Sequence, residues 1–341
     1  MVGRSHYNAP VRVHSSAPTR IDLAGGTLDI WPLYLFHEDA QTVNAAITLR
    51  AECTVSPSSD GRLHVVAADT GAAIDAAHWS ELDDRAELRL IARVLRFFRP
   101  SAVSIATRSG APVGAGLAGS SAMNIALCGA LSRWLDRPFH PESLIALALN
   151  LEAQVLGVPT GLQDYRPAMY GGIAAIEMDA AGVTRIPLNV DPRELGQRLI
   201  LVYTGQSRDS GINNWEVTKR HLDGDPVVTA LFAEIRDVAV GIRGALLASD
   251  WAEVGQHLDR EWTLRKRLCP GVTTPRIDDL VARARAAGAR AVKACGAGGG
   301  GCLLIFAEPD AVTSVTRELR AAGAEFLEHA LDPDGLRVEV K

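Results

Sequence analysis

The feature of this sequence that most restricts its fold is a glycine-rich segment, PVGAGLAGSSA, at Pro112–Ala122. An alternating strand is predicted before it at Ala102–Thr107, and an apolar helix is predicted to begin after it at Ser120. In such a loop the backbone N–H groups and the helix N-terminus can converge on a phosphate with no side chain in the way. Ser120 and Ser121 stand where the helix starts, so each can either cap the helix or offer an oxygen to Mg²⁺. The segment predicts an anion site and leaves the role of the two serines open.

The same segment also matches GxGxxG, the fingerprint of dinucleotide-binding domains, at Gly114, Gly116 and Gly119. Asp136 lies near the distance at which that fingerprint carries a ribose-binding acid. However, the pattern recurs at Gly296–Gly301, where an apolar strand follows instead of a helix. The strand before the first match alternates, whereas strands inside a parallel sheet are continuously apolar. An NAD(P)-dependent oxidoreductase is therefore kept only as an alternative, and a P-loop is excluded because no GxxxxGK[ST] occurs.

A second glycine segment, APTRIDLAGGTLDI, lies near the N-terminus at Ala17–Ile30. Gly25 and Gly26 permit a tight turn that brings Asp29 toward a polyol, because a carboxylate accepts hydrogen bonds from neighbouring hydroxyls. Arg20 supplies a permanent cation for phosphate oxygens. Taken alone, the segment also fits an ordinary strand and turn with surface charges.

A third segment, CGAGGGGC, spans Cys295–Cys302 between two predicted apolar strands. A glycine run in that position either lies close to another backbone or forms an irregular loop against a ligand. The five cysteines of the chain form no CxxC pair, which favours reduced structural thiols.

Two acidic residues complete the pattern. Glu152 lies in a helix predicted at Pro141–Leu156, and Asp164 follows the turn GVPTGLQD. If the turn folds back toward the predicted anion site at Pro112–Ala122, the two carboxylates can hold Mg²⁺ and accept a proton from an attacking hydroxyl. The alternative for Glu152 is a solvated charge on a helix surface.

The length of 341 residues fits two packed domains. Short strands dominate the first part, a helix is predicted near Asp84–Phe98, and long amphipathic helices follow at Pro226–Leu268. We place the boundary near Asp191, which divides the chain into domains 1–190 and 191–341. The order of elements predicts an α+β sandwich and not a regular βαβ series.

The composition predicts a globular protein, with 47% apolar and 22% charged residues. The net charge of −5, without a long Lys/Arg run, gives no footprint for nucleic acid or an anionic membrane. No apolar stretch has the length of a signal peptide or a membrane span, so we expect a cytoplasmic protein.

The three glycine segments, occurring together and in this order, resemble the GHMP kinase family of galactokinase, homoserine kinase, mevalonate kinase and phosphomevalonate kinase. The resemblance extends from Ala17 to Phe306 and implies two α+β domains with the active site in the cleft between them. It also implies ATP and Mg²⁺ as cofactors, and transfer of a phosphoryl group to a hydroxyl of a small molecule.

The resemblance assigns roles residue by residue. Asp164 would orient or deprotonate the acceptor hydroxyl, Arg20 would stabilise charge during transfer, and Ser121 with Glu152 would hold Mg²⁺. The ATP phosphates would be bound by Pro112, Gly114, Gly116, Leu117, Ala118, Gly119, Ser120 and Ser121. The acceptor would be bound by Asp22, Gly25, Gly26, Thr27, Asp29, Asp164, Gly298 and Gly299.

Within the family, the stretches RIDLAGG, TVNAAI, ExxxLGVPxGLQD and LVYTGQSRDSG most resemble D-glycero-D-manno-heptose 7-phosphate kinases and related sugar kinases. The sequence departs from that group at AGGTLD, at Asp22 and at QDYRPAM, where a substrate would be bound. We therefore expect a sugar or sugar-phosphate kinase. The alternatives are a kinase of another small alcohol or of a uronic acid, and a non-catalytic sugar and ATP sensor.

Overall fold

The structure of the chain, a computed structural model, describes residues 12–82, 85–207, 211–269 and 271–341. The larger of two sheets is mixed and contains β1 (Val13–Ala24), β2 (Gln41–Pro57), β3 (Leu63–Ala67), β4 (Ala72–Ala76), β5 (Val103–Ser109), β6 (Ile173–Asp179), β7 (Gly182–Pro187) and β12 (Arg337–Val340). The smaller sheet is antiparallel and contains β8 (Leu199–Tyr203), β9 (Ala289–Ala294), β10 (Cys302–Ala307) and β11 (Glu325–Phe326).

The helices pack on these sheets. They are α1 (Arg89–Phe98), α2 (Gly119–Trp134), α3 (Pro141–Leu156), α4 (Tyr165–Tyr170), α5 (Pro192–Gly196), α6 (Gly211–Leu222), α7 (Pro226–Leu247), α8 (Trp251–Leu268), α9 (Pro275–Ala286) and α10 (Pro309–Ala321). Short 3-10 turns occur at Leu33–Phe36, Trp79–Glu81 and Ala86–Leu88. Within the described ranges, every helix is too short or too polar to cross a membrane. The predicted α+β class is confirmed.

The helices that carry the site follow the sequence pattern closely. The predicted helix Pro141–Leu156 is confirmed as α3, which has proline in its first turn and ends at Gly157 in the left-handed conformation. The helix predicted from Asp84 begins as a 3-10 turn and becomes α1 at Arg89. Asp84 itself lies outside the described residues.

Helix α2 lies between the larger sheet and the helices α1 and α3. Every residue from Ser121 to Leu131 is buried, because the helix packs against β1 and β2 on one side and against α1 and α3 on others. A helix enclosed on several sides has no solvent-facing side that would call for polar residues. This explains why Ala122–Leu131 is apolar except at Asn124. Its fixed position also fixes the glycine loop that leads into it.

The sheet around that loop does not fit a dinucleotide-binding domain. Strand β5, which precedes the loop, pairs antiparallel with β2 and parallel with β3. A dinucleotide site requires a parallel sheet with crossover helices on both faces. The oxidoreductase alternative therefore has no support from the fold.

The change from the larger to the smaller sheet falls between β7 and β8, close to the predicted boundary at Asp191. One apolar core nevertheless joins the two sheets, since Ile21 and Val43 belong to the same buried cluster as Phe232 and Leu304. The end of the chain also returns to the larger sheet, where β12 pairs with β1. The division into 1–190 and 191–341 stays a prediction.

Arg50 of β2 holds this returning segment in place. Its guanidinium donates hydrogen bonds to Asp332 Oδ2 (2.5 Å), to the carbonyl oxygen of Gly335 (2.5 Å) and to the carbonyl oxygen of Ser16 (2.8 Å). Arg50 and Asp332 are both largely buried. Since burying an unpaired charge is costly, each depends on the other.

We expect Arg50→Met to lower the free energy of unfolding by roughly 3–5 kcal/mol, because it leaves the buried Asp332 with only the more distant Arg337 (3.9 Å) as a cation. The measurement is urea unfolding at pH 7. The control is Arg285→Met, which removes an exposed arginine paired with the exposed Asp259 and should change stability by no more than about 1 kcal/mol. Equal losses in the two variants would contradict the importance of the buried pair.

Candidate active site

One cleft of about 580 Å³ brings the three glycine segments together. Its walls come from the turn at Gly25–Gly26, the loop between β5 and α2, and parts of α1, α3 and α8. Part of the third glycine segment, Cys295–Cys302, also lines it. Most of the predicted site residues line it, namely Arg20, Asp22, Gly26, Thr27, Asp29, Pro112, Gly114, Gly116, Leu117, Ala118, Gly119, Ser120, Ser121, Glu152 and Asp164.

Three glycines predicted to bind the acceptor do not line this cleft. A Cβ atom at Gly25 would collide with the carbonyl oxygen of Gln41, so this glycine is needed for close approach of β2. Gly298 and Gly299 face Val272 instead, since Gly299 N–H donates to the Val272 carbonyl oxygen (2.5 Å). The small size of these glycines permits close backbone contacts, and their predicted part in binding an acceptor stays a prediction.

The loop before α2 has the geometry of an anion site. The helix begins at Gly119, and its capping residue is Ala118, in the left-handed conformation and without a side-chain hydrogen bond to the helix. The first N–H groups of α2 are thus not capped by a side chain and are available to a ligand in the cleft. Ser120 and Ser121 do not cap the helix, which removes one of the two interpretations of these serines.

Both serine hydroxyls donate to Glu152 of α3. Ser120 Oγ lies 2.5 Å from Oε1 and Ser121 Oγ lies 2.9 Å from Oε2. Burial raises the pKa of Glu152, although three hydroxyl donors oppose the shift. The interpretation of Glu152 as a solvated helix charge is wrong, because the residue is buried and lines the cleft.

The atoms around Glu152 fit a magnesium ion. Carboxylate and hydroxyl oxygens are hard donors, and Mg²⁺ in phosphate-transfer sites is held by one or two carboxylates together with substrate phosphates. No described Lys or Arg forms an ion pair with Glu152, so a cation is the natural partner of this charge. Across the described ranges there is no group of three or more His, Cys, Asp or Glu that could hold a metal by itself.

Arg20, which is buried, and Asp164, which is part-exposed, form an ion pair that lines the cleft. Arg20 Nε donates to Asp164 Oδ1 (3.0 Å), Nη2 contacts the same oxygen, and Nη1 donates to the carbonyl oxygen of Gly116 (2.8 Å). Burial alone would lower the pKa of Arg20, but the carboxylates of Asp164 and Asp22 outweigh it and raise the pKa. Both bonds use Oδ1, which leaves Asp164 Oδ2 available to a ligand.

Asp29 lies beside this pair. Its Oδ2 accepts a hydrogen bond from the backbone N–H of Gln163 (2.9 Å), while its buried Oδ1 has no partner. Gln163 Oε1 is likewise buried without a partner and lines the cleft. Burial, together with the charge of Asp164, raises the pKa of Asp29 to about 7. The cleft therefore contains acceptor atoms that lack donors.

Asp22 belongs to a buried group of four charges. Lys293 Nζ of β9 lies 3.5 Å from Asp22 Oδ2 and 3.7 Å from Glu261 Oε1 of α8. Arg265, one turn after Glu261, donates to the carbonyl oxygens of Gly26 (2.9 Å) and Gly296 (2.9 Å). Through Arg265, this group connects the turn at Gly25–Gly26 to the third glycine segment, Cys295–Cys302. Whether Asp22 also binds an acceptor stays a prediction.

The sequence patterns missed several residues of the cleft or its support. Lys293 could have been found from the sequence, because it is a charged residue inside a predicted apolar strand. Glu261 and Arg265 could have been found because they are opposite charges four residues apart on one helix. No sequence signal indicated Tyr165, whose hydroxyl donates to Glu152 Oε2 (2.8 Å), or Asn214, which accepts from Thr27 Oγ1 (3.2 Å).

Comparison with known proteins agrees with this arrangement. Residues 88–172 match the GHMP kinases N terminal domain, and residues 242–325 match the GHMP kinases C terminal domain. The chain is 26% identical over 335 residues to a D-glycero-alpha-D-manno-heptose 7-phosphate kinase of Campylobacter jejuni, with 95% of this chain and 98% of the relative covered. It is 26% identical over 351 residues to a mevalonate kinase of Thermococcus sibiricus, with 96% and 99% covered.

A solved structure shows the same fold over nearly the whole chain. It is a D-glycero-D-manno-heptose 1-phosphate kinase from Bacteriodes thetaiotaomicron, with a TM-score of 0.79, 26% sequence identity, and coverage of 96% of this chain and 98% of that chain. The N-terminal match contains the glycine-rich loop Pro112–Ala122, Glu152 and Asp164. The C-terminal match contains the third glycine segment, Cys295–Cys302. The chain belongs to the GHMP kinase family. It is a phosphotransferase that acts on an alcohol group.

The raised pKa of Asp29 predicts a pH-dependent cost in stability. Between its ordinary value of 3.8 and about 7, the folded protein holds a proton that the unfolded chain has released. Stability from this group therefore falls as pH rises through that range and stays lost above pH 7. We expect Asp29→Asn to be more stable than the wild type by about 1–3 kcal/mol at pH 8, with a small difference at pH 4–5.

Urea unfolding of both proteins at the two pH values measures this difference. A stability difference that is the same at pH 4.5 and pH 8 would contradict the assignment to Asp29 ionisation.

Proposed function

We propose that this protein transfers the γ-phosphoryl group of ATP, bound with Mg²⁺, to a hydroxyl of a sugar or sugar phosphate. The observation that carries the proposal is the pair of buried acceptor atoms without donors in this cleft, Asp29 Oδ1 and Gln163 Oε1, next to Asp164 Oδ2, which makes no hydrogen bond to another described residue. A buried acceptor without a donor is costly, and a polyol presents several hydroxyl donors close together. A kinase that consumes ATP would act in the cytoplasm.

The acidic character of the cleft favours a sugar over a carboxylate-bearing acceptor such as mevalonate. Asp22, Asp29 and Asp164 lie close enough for their charges to raise the pKa of Asp29. A substrate carboxylate placed among them would be repelled, whereas sugar hydroxyls are neutral donors; the phosphate of a sugar phosphate would therefore have to lie away from these three carboxylates. The relatives named as heptose phosphate kinases, one as a 7-phosphate kinase and one as a 1-phosphate kinase, support the same class of acceptor.

The arrangement gives each residue a task in an in-line transfer. The amides of the loop and of the α2 N-terminus would bind the phosphates, and Arg20 would stabilise the charge that develops on the transferred group. Asp164 Oδ2 would orient the acceptor hydroxyl and receive its proton. Glu152 and Ser121 would hold Mg²⁺, which neutralises negative charge on the phosphate oxygens.

We expect Asp164→Asn to lower turnover by about 10²- to 10⁴-fold, because an amide cannot receive the proton of the acceptor. ADP release under saturating ATP measures turnover, and circular dichroism verifies folding. Asp136→Asn is the control, since Asp136 is exposed and would matter only to a dinucleotide site. Full activity of Asp164→Asn on the true acceptor would remove Asp164 from this role.

A panel of acceptors tests the substrate class. We expect Mg²⁺-dependent ADP release with an aldose, a heptose phosphate or a related sugar phosphate, and none with mevalonate. Release with mevalonate alone would contradict the sugar assignment. Tight binding of a sugar without ADP release would indicate a sensor, and thermal stabilisation by NAD(P) without stabilisation by Mg·ATP would indicate an oxidoreductase.

A further inference from the structure

Tyr165 stands next to Asp164 in the chain, at the start of α4, and its side chain is fully buried. Its phenol oxygen lies 2.8 Å from Glu152 Oε2 and 3.3 Å from Thr160 Oγ1. A carboxylate has no proton to give when ionised, so the phenol donates to Glu152. The residue thus touches the carboxylate assigned to Mg²⁺ without lining the cleft itself.

The hydroxyls that contact Glu152 come from two helices. Ser120 and Ser121 both lie on α2, and they contact Oε1 and Oε2 respectively. Tyr165 lies on α4 and contacts Oε2. Because Glu152 is on α3, the phenol is the contact that fixes this carboxylate relative to α4, the helix that begins directly after Asp164. Partners of this kind orient a ligand before the metal arrives.

We propose that Tyr165 is a positioning residue for Glu152, and that its hydroxyl supports metal binding and not the chemical step. The inference rests on the proposed role of Glu152 and Ser121 in holding Mg²⁺. It gives two adjacent residues different roles: Asp164, which precedes α4, would contact the acceptor, whereas Tyr165, the first residue of α4, acts through the metal ligand.

The chain offers a matched control on the same pair of helices. Tyr170, also on α4, donates to Glu142 of α3 over the same distance, 2.8 Å. Glu142 lies in the first turn of α3 and does not line the cleft. Tyr165→Phe and Tyr170→Phe each remove one phenol bond to one α3 carboxylate and keep the ring that packs in the core.

The experiment compares metal binding in the wild type and both variants. The apparent Mg²⁺ constant is taken from ADP release at fixed ATP, and Mn²⁺ binding in the presence of a non-hydrolysable ATP analogue is followed by the loss of the free Mn²⁺ spectrum. We expect Tyr165→Phe to bind both metals about 10- to 100-fold more weakly, with turnover at saturating Mg²⁺ within a few-fold of wild type. Tyr170→Phe should match the wild type in both measurements.

A double variant tests whether Tyr165 acts through Glu152. If it does, adding Tyr165→Phe to Glu152→Gln should weaken Mn²⁺ binding no further. Metal affinity in Tyr165→Phe equal to that of Tyr170→Phe would overturn the proposal, as would lost turnover that saturating Mg²⁺ does not restore. Wild-type protein without Mg²⁺-dependent ADP release would instead overturn the proposed function.

Discussion

The glycine-rich loop Pro112–Ala122 depends on the third glycine segment, Cys295–Cys302, which lies directly against its backbone. Cys302 N–H donates to the carbonyl oxygen of Ala115 (2.8 Å), and a Cβ at Gly301 would come within 2.7 Å of the same oxygen. At Gly116, which has positive φ, a Cβ would collide with the carbonyl oxygen of Cys295. Side chains would hold the two segments apart, so glycine on both sides permits the contact. The shape of the anion site is thus set by both halves of the chain.

Arg20 connects this loop to the acidic part of the cleft. Its backbone N–H donates to the carbonyl oxygen of Leu117 (3.0 Å), and its guanidinium joins Asp164 to the carbonyl oxygen of Gly116. A planar guanidinium with several fixed donors suits such a junction better than a lysine would. One buried side chain therefore sets the distance between the loop before α2 and the carboxylate of Asp164.

The cleft concentrates negative charge in a way that opposes stability. Asp29 and Glu152 are buried, and burial raises the pKa of both. Asp22 and Glu261 are compensated by Lys293, but their oxygens lack good hydrogen bonds. Such costs are tolerated where ligands supply the missing donors and cations. The proposed polyol acceptor and Mg²⁺ would supply these donors and this cation.

The sequence by itself determined the local elements and the nature of the anion site. Strand, glycine loop and helix around Pro112–Ala122 follow from local periodicity and from the absence of Cβ atoms, and helix α3 was predicted to the residue. Arg20, Glu152 and Asp164 were predicted as site residues because their motifs occur in a recognisable order. These signals are short in range, so one chain was enough to reveal them.

Only the tertiary structure decided which groups meet. It brought Ser120 and Ser121 onto Glu152 and not into a helix cap, and it placed Gly298 and Gly299 against the backbone of Val272. It also brought Tyr165 onto Glu152. Contacts between residues far apart in the chain depend on how helices and sheets pack, and local periodicity carries no information about that packing.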